Sequence, residues 1–328
     1  MNARKALSGR LPAWLLRALF GAGFFTLGEV MLWDNPDPAQ WPLRAVGCLL
    51  LAAVAVDLIV RFNVRDVPGI MVVGGVFGVP YGVLVAQVVG EDLIRGMVLR
   101  PLGWYALVGG ALGVAAALIA LRGAGYTLPR GVAAAGLGLL WGMWVRWFPT
   151  QTAGGAPAPL EAATLAAGAG LAVMGVLAYA YQRRPARLEI DLMLTPWEWA
   201  LVAVGLGAFL VAGLARGGIL PLGLGALVAL SVFLVGVLLF SRERYRRSAL
   251  RDLTPPARFN APHYTALALS FLVAGGLGYI IPPIGAAAEP LQLSAMVALL
   301  YVLGFAWVPV VSVFMAVRAF MDISRQEG

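Results

Sequence analysis

The chain has 328 residues, 61% of them hydrophobic and only 12% charged. A soluble domain carries about 25% charged residues, so this composition excludes a disordered chain, a coiled coil or a disulfide-built scaffold and leaves too little charge to coat a soluble globule. The formal charge of +8 arises from 24 basic against 16 acidic residues, and all but one of the basic residues are arginine. Arginines at the cytoplasmic ends of membrane spans account for that excess through topology and anionic lipid, so nucleic acid is not expected as a partner. One cysteine, Cys48, and one histidine, His263, exclude an intrachain disulfide, a multi-cysteine metal site and a bis-histidine haem.

A bilayer span takes about 20 apolar residues, and the apolar content suffices for about ten. The runs lie near 14–33, 43–62, 69–89, 104–121, 131–148, 160–181, 196–215, 219–240, 262–283 and 292–317. Lipid-facing backbone must satisfy its own polar groups, so all ten are expected as α-helices. The basic N-terminus, 2–17, resembles the start of a signal peptide. The apolar run behind it continues to Trp33 without a small-residue cleavage site, which predicts a retained first helix. Asp34-Asn35-Pro36-Asp37-Pro38 cannot continue a helix, because proline lacks an amide donor and restricts its predecessor. Farther along, Thr195-Pro196-Trp197-Glu198 reads as a capping box, which gives Glu198 a structural role.

With the N-terminus cytoplasmic and ten alternating spans, 19 of the 24 basic residues fall inside. The expected location is the plasma (inner) membrane with both termini cytoplasmic. No loop is long enough for a soluble domain. The Pro-, Gly- and Ala-rich stretch 149–159 is read as an external linker between a first membrane half, 1–148, and a second, 160–328. The basic loop 241–261 is read as a topology anchor, and the tryptophans near the outer ends (Trp33, Trp41, Trp104, Trp141, Trp144, Trp147) as an interfacial belt.

Gly74, Gly78 and Gly82 share one face of the third helix; Gly109, Gly113 and Ala117 and then Ala134, Gly138 and Gly142 do the same on the next two. Small residues at this spacing let membrane helices approach closely. Gly78-Val79-Pro80-Tyr81-Gly82 predicts a break in the third helix, and Gly275-Gly276-Leu277-Gly278 with Pro282-Pro283 a break in the ninth. Their shared pattern suggests a weak internal repeat of helices 1–4 and 7–10, with a binding site at the interrupted helices.

Charge inside a span requires a partner or a role. Asp57 stands four residues before Arg61, and Arg17 enters the first helix at the same inner depth, so Asp57, Arg61 and Arg17 are expected as a structural ion-pair group. Glu29 lies one turn below the outer end of its helix, with no cation in reach on that helix. Its expected partners are Arg146, at comparable depth, or a watery cavity beside Gly78 and Pro80. Glu29, Gly78, Pro80 and Arg146 are therefore the candidate solute- or ion-binding residues. Zincin, prenyl-diphosphate and P-loop signatures are absent; Glu91-Asp92 is the sole adjacent acidic pair, so neither catalytic residues nor a metal or cofactor are expected. The sequence thus points to an all-α polytopic membrane protein, a compact bundle of about ten helices. Its expected function is transport of a small or lipid-like solute through a site between the two halves, with membrane lipids around it. The alternative is a non-catalytic membrane subunit or scaffold whose glycine seams dock other membrane helices.

Overall fold

A computed structural model describes residues 3–33, 39–89, 96–121, 127–153, 157–186, 188–240, 248–250, 259–281 and 288–327. The protein is an all-α polytopic membrane protein. In chain order, α1 is Ala3–Phe25 continued by a π-helical turn Thr26–Val30; α2 is Trp41–Arg61; α3 is Val67–Pro80 continued by a π turn Tyr81–Val85. Next, α4 begins as a π-helix, Val98–Leu112, and relaxes to α geometry over Gly113–Leu121. Then come α5 (Leu128–Ala153), α6 (Leu160–Arg183), a 3-10 turn (Glu189–Leu192), α7 (Pro196–Ala215), α8 (Pro221–Phe240), α9 (Ala261–Ile280) and α10 (Ala288–Glu327). Nine helices among the described residues are long and apolar enough to cross a membrane. The one outside that group, α5, is a 26-residue helix whose apolar content is diluted by glycines, tryptophans, Arg130 and Arg146.

Helix starts follow from local chemistry. Asp66 accepts from the Gly69 amide at 3.1 Å and Asn260 from the His263 amide at 3.3 Å, each an N-cap supplying an acceptor to the first turn. The Thr195–Glu198 capping box is present in full. Among the described residues, three non-glycine residues adopt left-handed backbone, Trp33, Asn63 and Gln87, each with φ of 54°. Each stands just past the last turn of α1, α2 or α3, and only the asparagine is a residue that favours this region.

Helix pairs meet along glycine seams. A Cβ at Gly110 would come within 2.5 Å of Gly74 Cα, and one at Gly82 within 2.5 Å of Pro101 Cγ, so α3 and α4 run backbone to backbone. Gly28 and Gly109 join α1 to α4 in the same way, and Gly142 of α5 meets Gly275 and Tyr279 of α9. The bare glycine surface is what permits this approach. Along α5 and α9 the contacts advance in the same sense, Gly138 with Phe271 and Gly142 with Gly275, so the two helices run parallel.

The packing is uneven. In the apolar stretch of α3, 72% of residues are buried, against 17% in α8 and in α9. Helices α1 to α4 form the enclosed centre, and the later ones lean on it: α6 on α1, α7 on α2, α8 on α3, α10 on α4, while α9 packs on α5 and α6. Helices on either side of the 149–159 stretch therefore pack directly on one another.

Several expectations are corrected here. The ninth helix is unbroken from Ala261 to Ile280, because Gly275 and Gly278 receive Trp141 and the Leu139 backbone of α5; Pro282-Pro283 lie outside the described residues. A repeat resting on paired breaks in helices three and nine loses that footing. The tryptophan belt is also revised, since Trp33, Trp104, Trp141, Trp144 and Trp147 are all buried in the protein rather than ringed around it. Most of the basic 241–261 loop lies outside the described residues, but Ser248, Ala249 and Leu250 are buried just past the end of α2, where the Ala249 amide donates to Val64 O at 2.8 Å.

Candidate functional site

The first four helices hold a polar centre. Glu29 lies within the π turn of α1 and Arg44 in the first turn of α2, and the guanidinium donates directly to the carboxylate. Both are enclosed, with side-chain exposures of 9% for Arg44 and 3% for Glu29. Arg44 also reaches Gln40 Oε1 at 3.3 Å. Tyr81 from α3, Tyr105 from α4 and Cys48 from α2 stand beside the pair. The two tyrosine rings meet edge to face at 4.9 Å, and Phe77 stacks on Tyr81 at 5.2 Å.

Three of the four helices leave α geometry where they reach this centre. Pro80 comes directly before the π turn of α3, and Pro101 lies inside the π stretch of α4. Proline supplies no amide and crowds the carbonyl one turn back, which opens the ladder. In α1 the Met31 amide bonds to Thr26 O at 2.9 Å, one residue farther back than in an α-helix. Carbonyls at this end of α1 are taken up by indoles: Trp104 Nε1 donates to Gly28 O at 3.1 Å and Trp144 Nε1 to Leu32 O at 2.9 Å. The two indoles stack at 4.8 Å, so Glu29 rides on a rigid support. Single π turns in α-helices are frequent at functional sites, and here two of them, in α1 and α3, meet the longer π stretch of α4.

The other candidate residues fall elsewhere. Arg146 does not reach Glu29; it donates to Tyr279 O at 2.7 Å and lies over that ring, because α5 packs on α9. Gly78 lines no cavity: the backbone of Ala106 and Pro101 fills the space its side chain would take. Pro80 is half-buried and acts as the helix opener just described. At the C-terminal end of α2, Arg61 Nε lies 2.8 Å from Asp57 Oδ2 and Nη2 3.1 Å from Oδ1, and Oδ1 also accepts from the Leu194 amide at 2.8 Å. Arg17 does not join them. Its guanidinium donates to Glu198 Oε1 at 2.8 Å and to the carbonyls of Leu192 at 3.2 Å and Met193 at 3.3 Å. Glu91 and Asp92 lie outside the described residues.

Arg44, Tyr81, Tyr105 and Cys48 are the site residues that sequence reasoning missed. A signal existed for Arg44. Glu29 is four residues from Trp33 at the end of α1, and Arg44 is in the first turn of α2, so a helical hairpin sets them at equal depth. The tyrosines had no such mark. No protein family, curated protein or solved structure matches the chain.

Proposed function

We propose that this is a membrane transport protein for a small or lipid-like solute, and that its site is the Glu29–Arg44 centre inside α1 to α4. The supporting observation is a charge pair buried at membrane depth where three helices open into π turns. Charge within a span is costly and is retained mainly where it works on a solute or an ion. The glycine seams favour this reading over a docking scaffold, because Gly74, Gly78, Gly110, Gly138 and Gly142 are already filled by helices of the same chain. The membrane is the plasma (inner) membrane and both termini are cytoplasmic, on the arginine distribution. Agreement comes from Asp66 beside Arg318 of α10 and Arg17 beside Glu198 of α7, all assigned to the inner side.

Cysteine labelling tests both statements. Cys48, the native cysteine, stands in the centre and is fully buried. A solute path must admit water there, so in proteoliposomes a small aqueous methanethiosulfonate should modify Cys48 while the fold persists. Cys48 that stays inert until denaturation would defeat the transport reading. In a Cys48→Ala background, Ala39→Cys should label from outside and Arg184→Cys only after permeabilisation; both positions are exposed. The reverse pattern would invert the topology.

A further inference from the structure

We infer that the Glu29–Arg44 centre takes a zwitterion: a solute or headgroup carrying an ammonium and a carboxylate or phosphate a few bonds apart. The inference rests on the transport reading and adds the chemical class. The centre holds one carboxylate and one guanidinium, each the other's countercharge; the further partner that Arg44 reaches, Gln40, is neutral. A cation alone would satisfy Glu29 and strand Arg44; an anion alone would do the converse. A buried charge whose partner is removed is strongly destabilising, so single-sign solutes compete poorly. A zwitterion replaces both partners at once and leaves the net charge of the centre unchanged.

The surroundings fit each end. Rings of Tyr81, Tyr105 and Phe77 are clustered beside Glu29, and aromatic faces attract an ammonium ion. Arg44 offers a planar fork of donors, suited to a carboxylate or a phosphate. Access is from the outer end. Arg44 lies one turn inside exposed Ala39 and Gln40, beneath Trp33 and Trp41, whose rings meet edge to face at 6.3 Å. Trp33 holds a left-handed backbone, with φ of 54°. A bulky residue rarely adopts that conformation.

The test is protection of Cys48 from methanethiosulfonate in the full chain, reconstituted in phosphatidylglycerol nanodiscs. Glycine betaine at about ten times its Kd should slow modification about tenfold. Choline and propionate, each carrying one of the two charges, should slow it less than about twofold at that concentration. Glu29→Gln leaves Arg44 without its countercharge and should transfer protection to propionate; Arg44→Gln should transfer it to choline. The wild-type comparison stands even where a variant fails to fold. If phosphatidylethanolamine nanodiscs protect without added solute, the zwitterion is a lipid headgroup; if only free betaine protects, it is a soluble solute. Protection by choline or propionate equal to that by betaine, or no protection by either source while Cys48 reacts, overturns the zwitterion and leaves the transport reading standing. Cys48 that never reacts removes both.

Discussion

The two ends of α1 carry buried charge to different purposes. At the end that the proposed topology makes the inner one, the partners are largely main chain. Arg17 and Arg10 donate to carbonyls of Asp191, Leu192 and Met193, Asp57 accepts from the Leu194 amide, and Glu198 closes the capping box of α7. The segment entering α7 has backbone groups that its own helix cannot satisfy, and buried backbone groups must find partners. Charged side chains of α1 and α2 substitute for secondary structure there. At the outer end Arg44 reaches Glu29 and Gln40, side chain to side chain, in a nest of tyrosines on opened turns. The first cluster fastens a connection, whereas the second joins two side chains within a frame of aromatic rings and π-helical backbone. Charge buried in a membrane protein is thus weighed by what it bonds, not by depth alone.

Arg17→Ala should produce the largest effect. It removes the closest guanidinium from the buried Glu198 carboxylate and the Arg17 donor from Leu192 O, leaving Glu198 with Arg10 at 3.6 Å and the Thr195 cap, a loss of about 3 kcal/mol. Gel-filtration yield and apparent Tm should both collapse. An unaltered Tm would mean that water reaches this end and that the contrast between the clusters is false.

Charge reversal separates the clusters next. Exchanging Glu29→Arg with Arg44→Glu restores a side-chain pair and should recover most of the stability lost by either change alone. Exchanging Arg17→Glu with Glu198→Arg should recover little, because a carboxylate at position 17 would face the carbonyls of Leu192 and Met193 and the cap at Thr195 would be gone. Double-mutant cycles on Tm read the coupling; pairs in contact show interaction energies of about 0.5–3 kcal/mol. Equal rescue at both ends would erase the distinction.

Much of this fold was legible because its signals are local. Apolar length, proline punctuation and capping chemistry act within one helix, and the runs read from the sequence correspond to α1 through α10. The break after Pro80 was legible for the same reason. What failed depended on neighbours. Gly275 and Gly278 read as a break, yet α5 fills their surface and the helix stays whole. Tryptophans read as an interfacial belt because their indoles suit that zone, yet Trp104 and Trp144 serve carbonyls at the opened end of α1. Glu29 and Arg17 were marked by the cost of buried charge, which says that a partner exists but not which. Arg146 and Arg44 stood at comparable depths, and only the packing of α5 against α9 sends Arg146 to Tyr279.

The smallest effect is expected at Asp57, whose carboxylate serves both the Arg61 guanidinium and the Leu194 amide. Arg61 donates to both oxygens, Nε to Oδ2 at 2.8 Å and Nη2 to Oδ1 at 3.1 Å; its side chain is 41% exposed and can be hydrated if the carboxylate is lost. Exposed ion pairs contribute about 0.2–1 kcal/mol. Oδ1 accepts from the buried Leu194 amide, and a buried donor left without a partner costs about 1–3 kcal/mol. Asp57→Asn keeps one acceptor oxygen for Leu194 and removes the charge and one of the two acceptors of the part-exposed Arg61, so its loss should stay near about 1 kcal/mol. Asp57→Leu removes both and should cost clearly more, by about the buried-donor penalty. The comparison to measure is the Tm of Asn against Leu at this position. If Asn is as damaging as Leu, the charge and not the acceptor holds the inner end, and the inner cluster would resemble the outer one after all.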